Sequence, residues 1–293
     1  MFVIPFPDID PVLIQIGPFA IRWYALAYVA GLLGAWWYIL RLIRTQRLWK
    51  DPPFNGSPQA NADHIGDLFV WAAVGVIAGG RLGYVLFYGL IYETEHFLSA
   101  PWRIFAAWEG GMSFHGGALG VVVAIILFAR RKKLDIVALG DLVAVAAPIG
   151  LFFGRIANFI NGELYGKISD VPWAVEFPTA AIRAVDGTIL SNPARHPSQL
   201  YEAALEGLVL FAVLHVMVHH FQALRRPGLV IAVFWIGYGL FRSIVEIFFR
   251  DSNQLVFGGL LTMGTLLSMG MFVFGAFFIW YALYRKGAPL LTT

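Results

Sequence analysis

The chain has 293 residues, a mean hydropathy of +0.70 and only 13% charged side chains, which excludes an ordinary soluble enzyme and makes it a polytopic membrane protein. Its net charge of +3 comes mostly from basic residues in short loops, where orienting the chain in a bilayer accounts for them first, so no nucleic-acid partner is expected. There is no cysteine, hence no disulfide, no thiolate metal site and no cysteine nucleophile, and any thiol chemistry must use the thiol of a substrate.

The N-terminal stretch lacks the basic region of a signal peptide and carries Asp8 and Asp10 instead, so it is expected to be retained. Pro5, Pro7 and Pro11 oppose a regular helix until after Pro18, and the apolar residues between them suggest an interfacial segment. Apolar runs long enough for a hydrocarbon layer of about 30 Å then fall at 19–43, 65–88, 113–129, 137–159, 200–220, 229–249 and 260–284. The expected fold is therefore all-α, with about seven transmembrane helices in a single integral membrane domain, 1–293.

Basic residues follow alternate spans. Arg41, Arg44, Arg47 and Lys50 come after the first, Arg130, Arg131, Lys132 and Lys133 after the third, Arg225 and Arg226 after the fifth, and Arg285 and Lys286 after the seventh. The other side carries only Arg103, Lys167, Arg183 and Arg195, and twelve against four places the C-terminus in the cytoplasm and the N-terminus outside. On the outer side, 161–199 holds Pro172, Pro178, Pro193, Pro197 and an Asp186-Gly187 turn, and reads as a small folded cap. Phe97, Trp102, Phe105 and Trp108 in the outer segment 92–111 fit a helix lying in the membrane interface. No inverted repeat of the kind common in transporters is visible.

With that topology the polar residues of the spans converge on one leaflet. Arg22 and Tyr24, Arg81 and Tyr84, His115, Arg155 with Asn158 and Glu163, His196 with Gln199 and Glu202, and Tyr238 with Arg242, Glu246 and Arg250 come from six helices. An arginine inside a bilayer costs roughly 3 kcal/mol on the insertion scale and is a functional-site hypothesis by default. Arg155 and Asn158 share a helical face, and Asn161-Gly162 ends that helix and lets backbone approach a ligand. Tyr238, Arg242, Glu246 and Arg250 recur every fourth residue as one stripe in which Arg242 can pair with Glu246. Such pairing can also merely neutralise buried charge.

Other groups have two readings. Arg81 either lines the cavity or packs beneath a close helix contact permitted by Gly79, Gly80 and Gly83. His115, between two Gly-Gly pairs, is either a base or hydrogen-bond partner for a ligand, or a histidine satisfied at an interface. Gln199, Glu202 and Glu206 share a face suited to interhelical hydrogen bonds, and Asp67 and Asp141 are structural. His215 and His219 have the spacing of a helical metal pair without the accompanying glutamate, which favours a solvated helix end. No metal or other cofactor is expected.

Gly154, Arg155, Asn158, Phe159, Asn161, Glu163 and Gly166, seven positions in thirteen, resemble the signature of bacterial prolipoprotein diacylglyceryl transferases. The resemblance extends through RWYALAY, GGRLGYVLFY, WEGGMSFHGG, RHPSQLYE and IGYGLFRSIVEIFFR. It implies an enzyme of the bacterial inner membrane, with its site toward the periplasmic leaflet. That enzyme moves a diacylglyceryl group from phosphatidylglycerol to the lipobox cysteine of a prolipoprotein signal peptide and releases glycerol phosphate. On this reading His115, Arg155, Arg242 and Tyr24 are catalytic. Asn158, Asn161, Gly162, Glu163, Gly166, Tyr238, Glu246 and Arg81 join the two arginines in binding substrate, Tyr24 and Glu163 entering by resemblance. The alternative is a transporter or flippase for an anionic solute or lipid, which requires polar residues in the cytoplasmic half, where the spans are almost purely apolar.

Overall fold

The computed structural model describes residues 4–7, 9–17, 19–52, 54–106, 108, 110–184, 186–251, 255–256 and 260–284. Asp8, Pro18, Arg285 and Lys286, used above, lie outside these. The fold is that of an all-α polytopic membrane protein with short paired strands at its connections. In chain order it runs β1 (Ile4–Pro5), β2 (Val12–Ile16), β3 (Phe19–Arg22), α1 (Trp23–Arg44), α2 (Ala62–Tyr92), α3 (Thr94–Ser99), α4 (Phe114–Lys132), α5 (Ile136–Ile160), β4 (Val175–Glu176), β5 (Ile182–Arg183), β6 (Ile189–Ser191), α6 (Ser198–His219), α7 (Leu229–Phe248), β7 (Leu255–Val256), β8 (Leu261–Thr262) and α8 (Met263–Tyr284).

Six of these helices, α1, α2, α5, α6, α7 and α8, are long and apolar enough to cross a membrane. The third expected span forms α4, a helix of 19 residues whose last turn holds Arg130, Arg131 and Lys132. The prolines do delay the first helix, yet the chain before it is not irregular, because β2 and β3 pair as an antiparallel hairpin. The segment 92–111 is not one helix either. Pro101 ends α3 and opens a 3-10 turn, Pro101–Phe105. Trp102, Phe105 and Trp108 are exposed, whereas Phe97 is buried against the Arg81 guanidinium.

The chain divides into two compact units, one of residues Met1–Tyr38 and Asp141–Gly287, the other containing Ile39–Gly140. In the second unit α2 packs on α4 through glycine. A Cβ at Gly75, Gly79, Gly83, Gly116 or Gly120 would run into the backbone of the facing helix, so the two axes approach as only small residues allow. Asp67 pairs there with Lys132 at 2.7 Å. In the first unit Asp141, wholly buried, accepts from the N–H groups of Gly228 and Ile231 at 2.8 and 2.9 Å and satisfies donors at the start of α7. His215 is not a solvated helix end as expected: its Nδ1 lies 2.9 Å from the Tyr38 hydroxyl, and its ring centre 4.2 Å from that of His219. Between α5 and α6 a small core of Val175, Phe177 and Ala180, flanked by Phe6, Phe159 and Tyr165, organises the loop. β1 pairs with β4 across it.

Candidate active site

The end of α5 supplies the first part of the site. Arg155 and Asn158 lie one turn apart, the helix stops at Ile160, and Gly162 at φ +63° reverses the chain. The reversal brings Glu163 back beneath the helix: its N–H donates to the Asn158 carbonyl at 3.0 Å. Its Oε1 accepts from Asn158 Nδ2 at 2.8 Å and from Asn161 Nδ2 at 3.4 Å. Three residues further on, Gly166 donates its N–H to the His196 carbonyl at 2.9 Å and bridges to Arg250. A Cβ at Gly166 would collide with the Phe249 carbonyl and His196, so only glycine lets the loop lie against the end of α7.

Helix α6 supplies carboxylates. Its Ala203–Val209 stretch is a π-helical turn, a register change that places Glu206 and Gly207 against α5, where a Cβ on Gly207 would come 2.7 Å from Phe152 Cβ. Glu206 Oε2 takes two hydrogen bonds from Arg155, 3.2 Å from Nε and 3.1 Å from Nη2. Glu202 sits among three arginines, 3.3 Å from Arg155 Nη1, 3.0 Å from Arg250 Nη1 and hydrogen-bonded to Arg242 Nη1. On α7, Arg242 Nη2 donates to Glu246 at 2.6 Å, as the four-residue stripe predicts, and Arg250 Nε lies 3.7 Å from the same oxygen. The Glu246 carboxyl rests on the first turn of α8 against Gly264, where the helix N-terminus favours a negative charge.

Three guanidinium and three carboxylate groups therefore balance, but they are not equally hidden. Glu202 and Glu206 are wholly buried and Glu246 nearly so, while the side chains of Arg155, Arg242 and Arg250 stay 14–16% exposed. The arginine side chains thus keep a partial exposure that the carboxylates beneath them lack. Buried carboxylates orient the planar forks, whose remaining N–H groups suit a two-point hold on a phosphate. Tyr238, one turn before Arg242, stacks on Phe234 within the electrostatic reach of Arg155, Arg242, Glu202 and Glu206. Tyr24 joins through a neighbour: its hydroxyl is 3.2 Å from that of Tyr28, which feels the charges of Glu163 and Arg155.

Among the sequence-derived candidates, the first unit thus gathers Arg155, Asn158, Asn161, Glu163, Tyr238, Arg242 and Glu246, with Tyr24 reached through Tyr28. Glu202 already stands among the convergent polar residues, Glu206 reads in the sequence only as a group for interhelical hydrogen bonds, and Tyr28 is not singled out. Their signal was the i, i+4 spacing of two carboxylates and of two tyrosines, a pattern that acquires meaning only with the facing helix in place. In the second unit His115 is exposed at the start of α4, after the Ser113 cap, and lines a groove of about 350 Å³ with Tyr84, Tyr88, Met112 and Ser113. Arg81 is buried there, and its guanidinium donates to the carbonyls of Arg103, Ile104, Gly110 and Gly111 at 2.5–3.3 Å. This is the packing alternative of its two readings. Among the described residues no three His, Cys, Asp or Glu side chains are gathered as metal ligands.

Comparison with known proteins bears on this arrangement. The family profile described as prolipoprotein diacylglyceryl transferase matches residues 11–281. The chain is 51% identical over 282 residues to a protein of Allorhizobium ampelinum named phosphatidylglycerol--prolipoprotein diacylglyceryl transferase, covering 96% of this chain and 92% of the relative. Proteins of the same name from Rhodospirillum rubrum and Agrobacterium fabrum are 50% and 48% identical, covering 99% and 98% of this chain and 97% and 95% of the relatives. With the match running almost end to end, the chain belongs to the prolipoprotein diacylglyceryl transferase family.

Proposed function

We propose that the chain transfers the diacylglyceryl group of phosphatidylglycerol to the thiol of a prolipoprotein's lipobox cysteine, with the arginine cluster holding the lipid phosphate. The observation that carries the site assignment is the partial exposure of the Arg155 and Arg242 side chains, 15% and 14%, paired with wholly buried Glu202 and Glu206. In this reading the two forks bind the phosphodiester and stabilise the charge that grows on it as it departs. Asn158, Asn161, Glu163 and Tyr238 orient the headgroup, Gly162 and Gly166 let the turn that carries Glu163 reverse and lie against the end of α7, and Tyr24 completes the wall.

The reaction is an alkyl displacement. The cysteine thiolate attacks the lipid's glycerol carbon, the carbon-sulfur bond forms, and the carbon-oxygen bond to phosphate breaks with its electron pair leaving on the phosphate oxygen. The products are a thioether and glycerol phosphate. A cysteine thiol titrates near 8.5, so its proton needs an acceptor, and His115 is the proposed base. Attack at phosphorus or at an acyl carbonyl would give other products, a phosphatidyl-peptide or a lysolipid. The site is assigned to the outer leaflet of the bacterial inner membrane, with the N-terminus periplasmic and 161–199 as its cap, on the distribution of basic loops.

The test is a purified preparation given phosphatidylglycerol and a lipobox peptide. The expected result is a peptide heavier by one diacylglyceryl group, stable to alkali, with glycerol phosphate released in equal amount. Arg155→Lys and Arg242→Lys should each lose turnover at near-normal protein level, because an ammonium is a point charge and not a fork. Lysolipid or free glycerol as the stoichiometric by-product, or wild-type turnover in both lysine variants, would overturn the proposal.

A further inference from the structure

The turn that carries Glu163 is strained, and side chains from elsewhere hold it. Gly162 sits at φ +63° and Leu164 at φ +59°. A leucine in the left-handed region is sterically disfavoured and persists only where its surroundings over-determine it. Here three consecutive carbonyls each accept a hydrogen bond from a side chain. Gly162 O accepts from Thr179 Oγ1, Glu163 O from Gln199 Nε2 at 2.6 Å, and Leu164 O from Ser198 Oγ at 2.9 Å.

Ser198 and Gln199 are both wholly buried at the start of α6. The amide of Gln199 has no freedom of orientation, since only its NH2 can face a carbonyl, and its Oε1 is left buried without a hydrogen-bond partner. An unsatisfied buried acceptor carries a desolvation penalty that an apolar side chain of equal size would not. One and two turns further along the same helix, Glu202 and Glu206 hold Arg155 and Arg242. A single rigid element thus grips the backbone of the Glu163 turn at one end and the guanidinium pair at the other.

We infer that Thr179, Ser198 and Gln199 are positioning residues for the transfer reaction, fixing the Asn158-Asn161-Glu163 group at a set distance from the two arginines. The inference rests on the headgroup site proposed above. Its consequence is specific: the arginines alone determine how tightly the phosphate is held, and the clamp determines whether the held lipid is correctly aligned. Misplacement of about 1 Å costs up to roughly a hundredfold in rate.

The experiment uses the full-length enzyme in detergent with phosphatidylglycerol and a lipobox peptide, measuring kcat, KM for each substrate, phosphatidylglycerol affinity and melting temperature. Gln199→Met keeps the volume and removes the donor, and Gln199→Glu turns a carboxylate toward the carbonyl. Both should lower kcat about 10- to 100-fold, with KM and lipid affinity little changed. Ser198→Ala should lose less and Ser198→Thr should recover most of it; Thr179→Val and Thr179→Ser form a second such pair, which decides the matter if the Gln199 variants do not accumulate folded. Unchanged kcat in Gln199→Met and Ser198→Ala, or losses that follow the melting temperature without recovery in the hydroxyl-restoring variants, would overturn the clamp. Arg155→Lys run beside them separates the two ideas. If it binds phosphatidylglycerol as the wild type does, the headgroup reading fails; if it loses the lipid while Gln199→Met turns over normally, only the clamp fails.

Discussion

Glu202→Gln removes one charge from the centre of the cluster while keeping the side chain's volume. Glu202 is wholly buried and serves Arg155, Arg242 and Arg250 together, so the substitution leaves three guanidinium groups facing two carboxylates. Breaking a buried ion pair from one side costs about 3–5 kcal/mol, mostly through the charge left without compensation. Two features place the expected value at the lower end. Arg155 retains Glu206 at 3.1 Å and Arg242 retains Glu246 at 2.6 Å, and each arginine side chain is 14–16% exposed, so water takes up part of the imbalance. Arg250 is left worst, with Glu246 at 3.7 Å. A loss of about 3 kcal/mol, at about 2–4 °C per kcal/mol in a chain of this size, lowers Tm by roughly 6–12 °C. The assay is thermal unfolding in detergent beside turnover with phosphatidylglycerol and a lipobox peptide, and turnover should fall even well below Tm because the forks lose their common anchor. A variant that melts with the wild type and keeps its rate would refute the claim that the buried carboxylates orient the arginines.

Gly79→Ala should destabilise the second unit by about 1–3 kcal/mol, since its Cβ would meet Gly116 O and lie 2.7 Å from Gly120 Cα. Gly117→Ala on the same helix pair meets nothing nearer than 3.6 Å and should melt within about 1 °C of the parent. His196 sits just before α6 with Nδ1 3.1 Å from the Tyr201 hydroxyl. That hydroxyl already accepts from Trp173 Nε1 at 2.7 Å and so directs its own hydrogen at the imidazole. Burial, aided by Lys167, holds His196 below the usual imidazole range. The folded form therefore binds the proton less readily than the unfolded form, so the stabilisation is full above about pH 6.5 and is lost as pH falls through that value. Tm measured between pH 7.5 and 5.5 should drop more in the parent than in His196→Gln; equal drops would show that the pH dependence lies elsewhere. Reporter fusions after Lys50, Lys133 and Arg226 should read cytoplasmic and one within 170–186 external. An external signal at Lys133 would overturn the leaflet assignment.

The residues by themselves determined the membrane class, the helix positions and the family. These follow from apolar runs, from proline positions and from a dense local motif, all of which act within one stretch of chain. The same is true of the pairing of Arg242 with Glu246, which needs only helical spacing. Tertiary structure decided how the charges are shared between helices. Glu202 belongs to three arginines, Arg155 on α5, Arg242 on α7 and Arg250 just past its end, and no spacing within α6 announces that. The π-helical turn around Glu206 was equally invisible, because the contact it serves, Gly207 on Phe152, lies on another helix. Arg81 shows the same limit from the other side. A lone arginine in an apolar helix has either of two readings, and four loop carbonyls folded over it supply the one seen here. Buried charge demands partners wherever they are, and the chain folds distant segments together to provide them, so which partners they are is a property of the fold.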